Sequence, residues 1–169
     1  MSPDQRVFLE DEFFTMTLMA TVQRAYIYRA DSSEIERVAV RDWLRVELVQ
    51  LADQYSNVVS EANHVQNISR LSDRLSATYP ETLKDGRFRI GSAQKCLNLY
   101  LKYAWCLDWI PMPPHCPFDA VILARLPKFK KIKWTKLDSL SLYENIVAEA
   151  KVVANGIPLA QWELQSYNS

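Results

Sequence analysis

Apolar residues recur at three- and four-residue intervals along most of this chain, the period of helices that bury one face. A stripe through Phe13, Met16, Leu18 and Val22 predicts a first helix over Phe8 to Arg29. Asp31-Ser32-Ser33-Glu34 reads as a loop and cap. The next helix opens at Ser32 to Glu36 and runs through Trp43, Val46, Leu48 and Leu51. A third begins near Ser60 and passes Val65, Ile68, Leu71 and Leu75 towards Tyr79, where Pro80 breaks it. Lys84-Asp85-Gly86-Arg87 is a turn. A fourth helix follows from about Ser92 to Trp109 or Ile110. Pro111-Met112-Pro113-Pro114 stops it, because proline lacks an N–H and steers its predecessor away from helix.

Three shorter helices complete the reading. Phe118 to Leu126 is one. Pro127 to Thr135 is basic, and irregular or a short strand. Asp138 to Val153 is amphipathic and stops at Asn155-Gly156; Pro158 starts a last helix through Trp162 to Tyr167. The expected class is all-α, about seven helices in one domain spanning residues 1–169. No repeat or low-complexity run divides the chain.

Composition narrows the picture. With 49% hydrophobic and 24% charged residues the chain has material for a packed core. Formal net charge is zero, so any nucleic acid must be held by a local patch and not by a global field. Met1 to Phe8 lacks a signal-peptide core, and no apolar run approaches about 18 residues, so no membrane partner is expected. Three cysteines, Cys96, Cys106 and Cys116, are an odd number, read as reduced thiols of a cytoplasmic protein. His64 and His115 are the only histidines, and no ligand spacing matches a known metal cage. No metal, cluster or cofactor is expected.

The fourth helix is unusual. At about 100° per residue, Gln94, Lys95, Asn98, Lys102, Trp105 and Trp109 share one arc, while nearly all the rest is apolar. Such a helix is surrounded by others. Its polar seam faces either water or a cleft, and periodicity alone leaves both open. At its start stand Gly91 and Lys95; Asp119 follows in Pro117-Phe118-Asp119. A partly buried lysine can attack a sugar carbon and form an imine. A carboxylate can stabilise an oxocarbenium-like sugar. A glycine at a helix start lets backbone amides approach a phosphate.

The pattern Ile90-Gly91-x-x-Gln94-Lys95 followed by Pro117-Phe118-Asp119 resembles the helix-hairpin-helix DNA glycosylase superfamily, and looks closest to its archaeal 8-oxoguanine branch. The resemblance spans about Lys84 to Arg125, and the core it implies lies within 84–136. It implies an all-α enzyme that extrudes and excises a damaged or modified base from duplex DNA, for repair or against phage. Lys95 would be the nucleophile, with Lys102 on the same seam as the other candidate amine. Asp119 would be the supporting carboxylate. Gly91, Ser92, Ala93 and Gln94 would meet phosphate. Asn98, Lys102, Trp105, Trp109 and Trp134 are candidates to line the base pocket.

The run Arg125 to Lys136 carries six positive charges, no acid, and the aromatics Phe129 and Trp134. Lys128, Lys130, Lys131 and Lys133 would follow a DNA backbone while Phe129 or Trp134 stacks on a base or wedges into the duplex. A solvated loop satisfies the same pattern. Two rivals remain. One is a non-enzymatic helical interaction module, such as a subunit of a bacterial defence or toxin–antitoxin system, with Trp43, Trp105, Trp109 or Trp162 anchoring a protein partner. The other is a basic-loop DNA binder without chemistry.

Overall fold

Seven α-helices build the computed structural model, which describes residues 1–167: α1 (Pro3–Leu18), α2 (Glu34–Gln54), α3 (Glu61–Thr78), α4 (Ile90–Cys106), α5 (Ala120–Ala124), α6 (Leu140–Ala154) and α7 (Leu159–Tyr167). Among the described residues there is no sheet. The only extended pairing is one antiparallel bridge between Tyr28 and Leu83. One apolar cluster runs unbroken from Phe13 on α1 to Trp162 on α7, with Leu44, Leu48, Ile68, Leu97 and Ile146 at its centre.

Local signals set several helix ends. Ser33 caps α2 and exchanges bonds with Glu36 in a capping box, satisfying backbone donors that the helix leaves unpaired. Ser60 caps α3 through the Asn63 amide. Asn155 closes α6 in the left-handed conformation, with Gly156 next at φ 88°.

Elsewhere the expected boundaries move. The first helix begins at Pro3 and not Phe8, because Ser2 and Gln5 form a second capping box. It gives way to a π-helical stretch, Met19–Gln23, and ends before Tyr26, which turns the chain at φ 50°. The helix expected over Phe118 to Leu126 shrinks to Ala120–Ala124. The basic segment that follows forms turns and a 3-10 turn at Trp134–Lys136, not a strand. Asp138 does not open α6, whose cap is Ser139.

Helix α4 lies at the centre and packs against α1, α2, α3 and α6. It starts two residues before the expected position, so Gly91 is inside it and Lys95 lies on its second turn. Its N-terminus is capped from far along the chain. The Ile90 amide donates to Asp138 Oδ1 at 3.1 Å, and the Gly91 amide donates to the Leu137 carbonyl at 2.8 Å. Arg87 holds Asp138 in place from Nε, at 3.2 Å to each carboxylate oxygen. A Cβ on Gly91 would stand 1.8 Å from the Trp134 carbonyl oxygen. That glycine therefore admits the Trp134–Lys136 turn onto the start of α4.

Candidate functional site

The polar seam of α4 faces neither bulk water nor an open cleft at its N-terminal end. Gln94 and Asn98 are fully buried and Lys95 is 4% exposed. The polar atoms of Gln94 and Asn98 are satisfied within α4 and by residues of α3, α6 and the segment before Asp119, partners that periodicity could not supply.

Gln94 anchors the arrangement. Its Oε1 accepts from the Phe118 amide at 3.1 Å, and its Nε2 donates to the Phe118 carbonyl at 2.9 Å and the Gly91 carbonyl at 3.0 Å. One side chain thus pins the segment before Asp119 to the start of α4. Asp119 then caps α5, with Oδ1 accepting from the Val121 amide at 2.9 Å and the Ile122 amide at 3.1 Å. Its Oδ2 makes no hydrogen bond among the described residues.

Lys95 points under the Trp134 indole, its ammonium 4.3 Å from the ring centroid. Burial lowers its pKa from the usual lysine range. The charge of Asp119 opposes that shift and Arg24 adds to it. Lys95 has no hydrogen-bond partner among the described residues. The structure therefore brings the amine and the carboxylate within electrostatic reach of each other.

The other expected site residues disperse. The amides of Gly91, Ser92 and Ala93 are engaged internally: Gly91 with Leu137, and Ser92 and Ala93 with the Arg89 carbonyl at 2.9 Å. A carboxylate, Asp138, occupies the helix terminus where a phosphate was expected, and Gln94 is committed to Phe118. Asn98 is consumed by buried bonds. Lys102 pairs with Glu163 on α7 at 2.7 Å. Trp109 packs 5.4 Å from Phe13 and lies under the Arg6 guanidinium, away from Lys95. Trp105 is half-buried on the same stretch. Neither Lys95 nor Asp119 lines the cavities beside Tyr28, His115, Asn63, Phe8 or Tyr100.

The basic segment is part patch and part scaffold. Lys128 is bonded to Glu149 at 2.6 Å. Lys130, Lys131 and Lys133 are exposed and make no ion pair among the described residues. Trp134 is 6% exposed, and Phe129 packs against the core, so neither stands free to stack or wedge. The tryptophans expected to anchor a protein partner are also partly spent. Trp162 is buried, and Trp43 lies under Arg74.

A second polar array was not legible in the sequence. Tyr55, His64, Asn98, Tyr143 and His115 form a continuous hydrogen-bonded chain through the core. Its proton positions follow from the backbone. The Phe118 amide must donate, so Gln94 presents Oε1; Asn98 must then offer Nδ2 to it, at 3.3 Å. Asn98 Oδ1 accordingly accepts from His64 Nε2 at 2.8 Å, and Tyr55 donates to His64 Nδ1 at 2.6 Å. Asn98 Nδ2 also donates to the Tyr143 oxygen at 3.3 Å, and the Tyr143 hydroxyl donates to His115 Nδ1 at 2.7 Å.

Both histidines are consequently neutral, with the proton on Nε2. Burial pushes each pKa down to about 3; the neighbouring His115 also contributes to the shift at His64, and Lys151 to that at His115. Among the described residues no group of three or more His, Cys, Asp or Glu is placed to hold a metal ion. No described helix is long and apolar enough to cross a membrane. Comparison with protein-family models, curated proteins and solved structures gave no match for this chain.

Proposed function

We propose that this protein is a DNA glycosylase of helix-hairpin-helix type, with Lys95 as the reactive amine and Asp119 as the carboxylate beside the sugar. The observation that carries the reading is the bidentate grip of Gln94 on Phe118. It holds Asp119 within electrostatic reach of a buried, depressed-pKa lysine that has no hydrogen-bond partner among the described residues. An amine held this way spends more of its time unprotonated than a surface lysine, which is what nucleophilic attack requires.

In this reading Asp119 Oδ2, left open by the cap, stabilises positive charge on the sugar as the bond from C1′ to the base breaks. The electron pair leaves with the base, which takes up a proton. Lys95 Nζ bonds to C1′, and ring opening gives an imine that reduction can trap. Trp134 covers the amine, so entry of a nucleotide requires the Trp134–Lys136 turn to move. Lys130, Lys131 and Lys133 precede that turn and are the groups through which a phosphate backbone would engage it. The start of α4 contributes packing, because the amides of Ile90, Gly91, Ser92 and Ala93 are already engaged.

The test is incubation of the folded protein with duplexes carrying a panel of oxidised, alkylated and deaminated bases, followed by borohydride reduction. A covalent adduct that Lys95→Gln abolishes and Asp119→Asn slows is the expected result. No abasic product and no adduct across the panel removes the proposal. Adducts that survive in Lys95→Gln reassign the amine.

A further inference from the structure

The buried chain of polar side chains ends at a surface cavity, and it ends unsatisfied. His115 has no exposed surface, yet its Nε2 has no hydrogen-bond partner among the described residues. The same ring lines a cavity of about 360 Å³ between α3 and α6. That volume falls within the roughly 300–1,000 Å³ typical of small-molecule sites. Because Tyr143 donates to Nδ1, the other ring nitrogen, Nε2, is an N–H donor. A buried donor without an acceptor is costly, so it marks a place where an acceptor is meant to sit.

Beside it stands a matching acceptor. Glu61 Oε1 is 3.5 Å from His115 Nε2, too far for a hydrogen bond between them, while Glu61 Oε2 is held by Lys151. A donor and an acceptor therefore lie side by side among the residues that line one cavity. Val65 and Val147 supply apolar surface for the faces of a flat ring. Glu144 and Glu61 set two carboxylates against the single ammonium of Lys151, with His115 neutral, so an anionic ligand is disfavoured.

We infer that this cavity binds a small, neutral, planar heterocycle with a cis-amide edge, the chemical class of a free nucleobase. A carbonyl or ring nitrogen of the ligand accepts from His115 Nε2–H, and the adjacent N–H donates to Glu61 Oε1. Neither Lys95 nor Asp119 lines the cavity, so the site is independent of the glycosylase reading.

The experiment is titration of the full-length protein with uracil, hypoxanthine and 1,3-dimethyluracil, following the histidine ring nitrogens by ¹H–¹⁵N NMR. Uracil and hypoxanthine are expected to shift His115 Nε2. Dimethyluracil, which has no N–H, is not. Glu61 is exposed, so Glu61→Ala keeps the fold and weakens binding by about tenfold or more. Ala148→Trp fills the mouth and abolishes binding. Lys95→Gln binds as wild type, which separates this result from the test of the enzyme. No shift of His115 with either base, an equal shift with dimethyluracil, or undiminished binding in Glu61→Ala overturns the inference.

Discussion

Gln94 and Phe118, 24 residues apart, are joined through both polar atoms of one side-chain amide and both polar groups of one peptide residue. All of these atoms are buried. Gln94→Ala leaves the Phe118 N–H and C=O without partners in a site water does not reach. Each orphaned group costs about 1–3 kcal/mol. The variant should lose more than about 2 kcal/mol of stability in urea unfolding, and Gln94→Leu should behave no better despite its similar volume. A loss under about 0.5 kcal/mol would mean that the linker is held by something else.

Gly91 tests a different kind of closeness. Gly91→Ala drives a methyl group into the Trp134 carbonyl, an atom of backbone that no rotamer change removes. The Trp134–Lys136 turn must lift from α4, and a destabilisation of about 3 kcal/mol or more is expected. Gly156→Ala is the contrast. Nothing lies within 4 Å of its Cβ, and only the φ of 88° resists, at a cost of about 1 kcal/mol. Tryptophan fluorescence and unfolding curves of the two variants distinguish contact from conformation.

The paired histidines make stability depend on acid. Each folded pKa is pushed down to about 3 from an ordinary 6.5. Between those values the unfolded chain binds more protons than the native one, so stability falls as pH falls. The contribution is fully present above about pH 6.5 and is lost progressively down to about pH 3. Well inside that window each ring contributes a slope of up to about 1.4 kcal/mol per pH unit. Unfolding measured from pH 7 to pH 4 should show this loss, with both rings neutral by ¹⁵N NMR at pH 5 in the folded protein. A flat profile, or rings that titrate near pH 6.5, would contradict the buried chain.

What the sequence disclosed and what it hid divide along the range of the interactions. Ser33 with Glu36, Ser60, and Asn155 with Gly156 act within a few residues, and each helix end they mark is where the pattern puts it. Ser2 with Gln5 is equally local but stands ahead of the apolar stripe that defined the first helix, so it went unread. Asp138 looked like the opening of α6 because nothing nearby says that it caps a helix 48 residues earlier. The polar seam of α4 could be recognised but not its fate. It meets neither water nor a cleft but His64, Tyr143 and Phe118, residues 34, 45 and 24 positions from their partners. Lys95 and Asp119 are paired only by the resemblance, and the clamp that fixes the segment before Asp119 belongs to Gln94.

Lys95 should be a liability to stability whatever its chemistry. Its ammonium is buried, faces an indole, and has no hydrogen bond among the described residues. Lys95→Met fills similar space without a charge, and it should match or exceed wild-type stability at pH 7. The pH dependence carries the sign. With the folded pKa lowered, the unfolded chain holds the Lys95 proton more tightly through the window below about 10.5. Wild type should therefore gain on Lys95→Met as pH rises through that window. A Lys95→Met protein that is several kcal/mol weaker at neutral pH would show that the amine has a structural partner.

The basic segment is tested by salt. Lys130, Lys131 and Lys133 are exposed and make no ion pair among the described residues, whereas Lys128 is tied to Glu149. Each lysine that neutralises a phosphate contributes about 0.9 to the slope of log binding constant against log salt concentration on duplex DNA. Changing Lys130, Lys131 and Lys133 together to Gln should lower that slope by roughly 2–3, measured by fluorescence anisotropy on an undamaged duplex. Lys128→Gln should lower it by less than one lysine's share, because its charge is already balanced. Equal effects from Lys128 and from its free neighbours would show that the Glu149 pair opens on binding. An unchanged slope in the triple variant would place any DNA contact on another face.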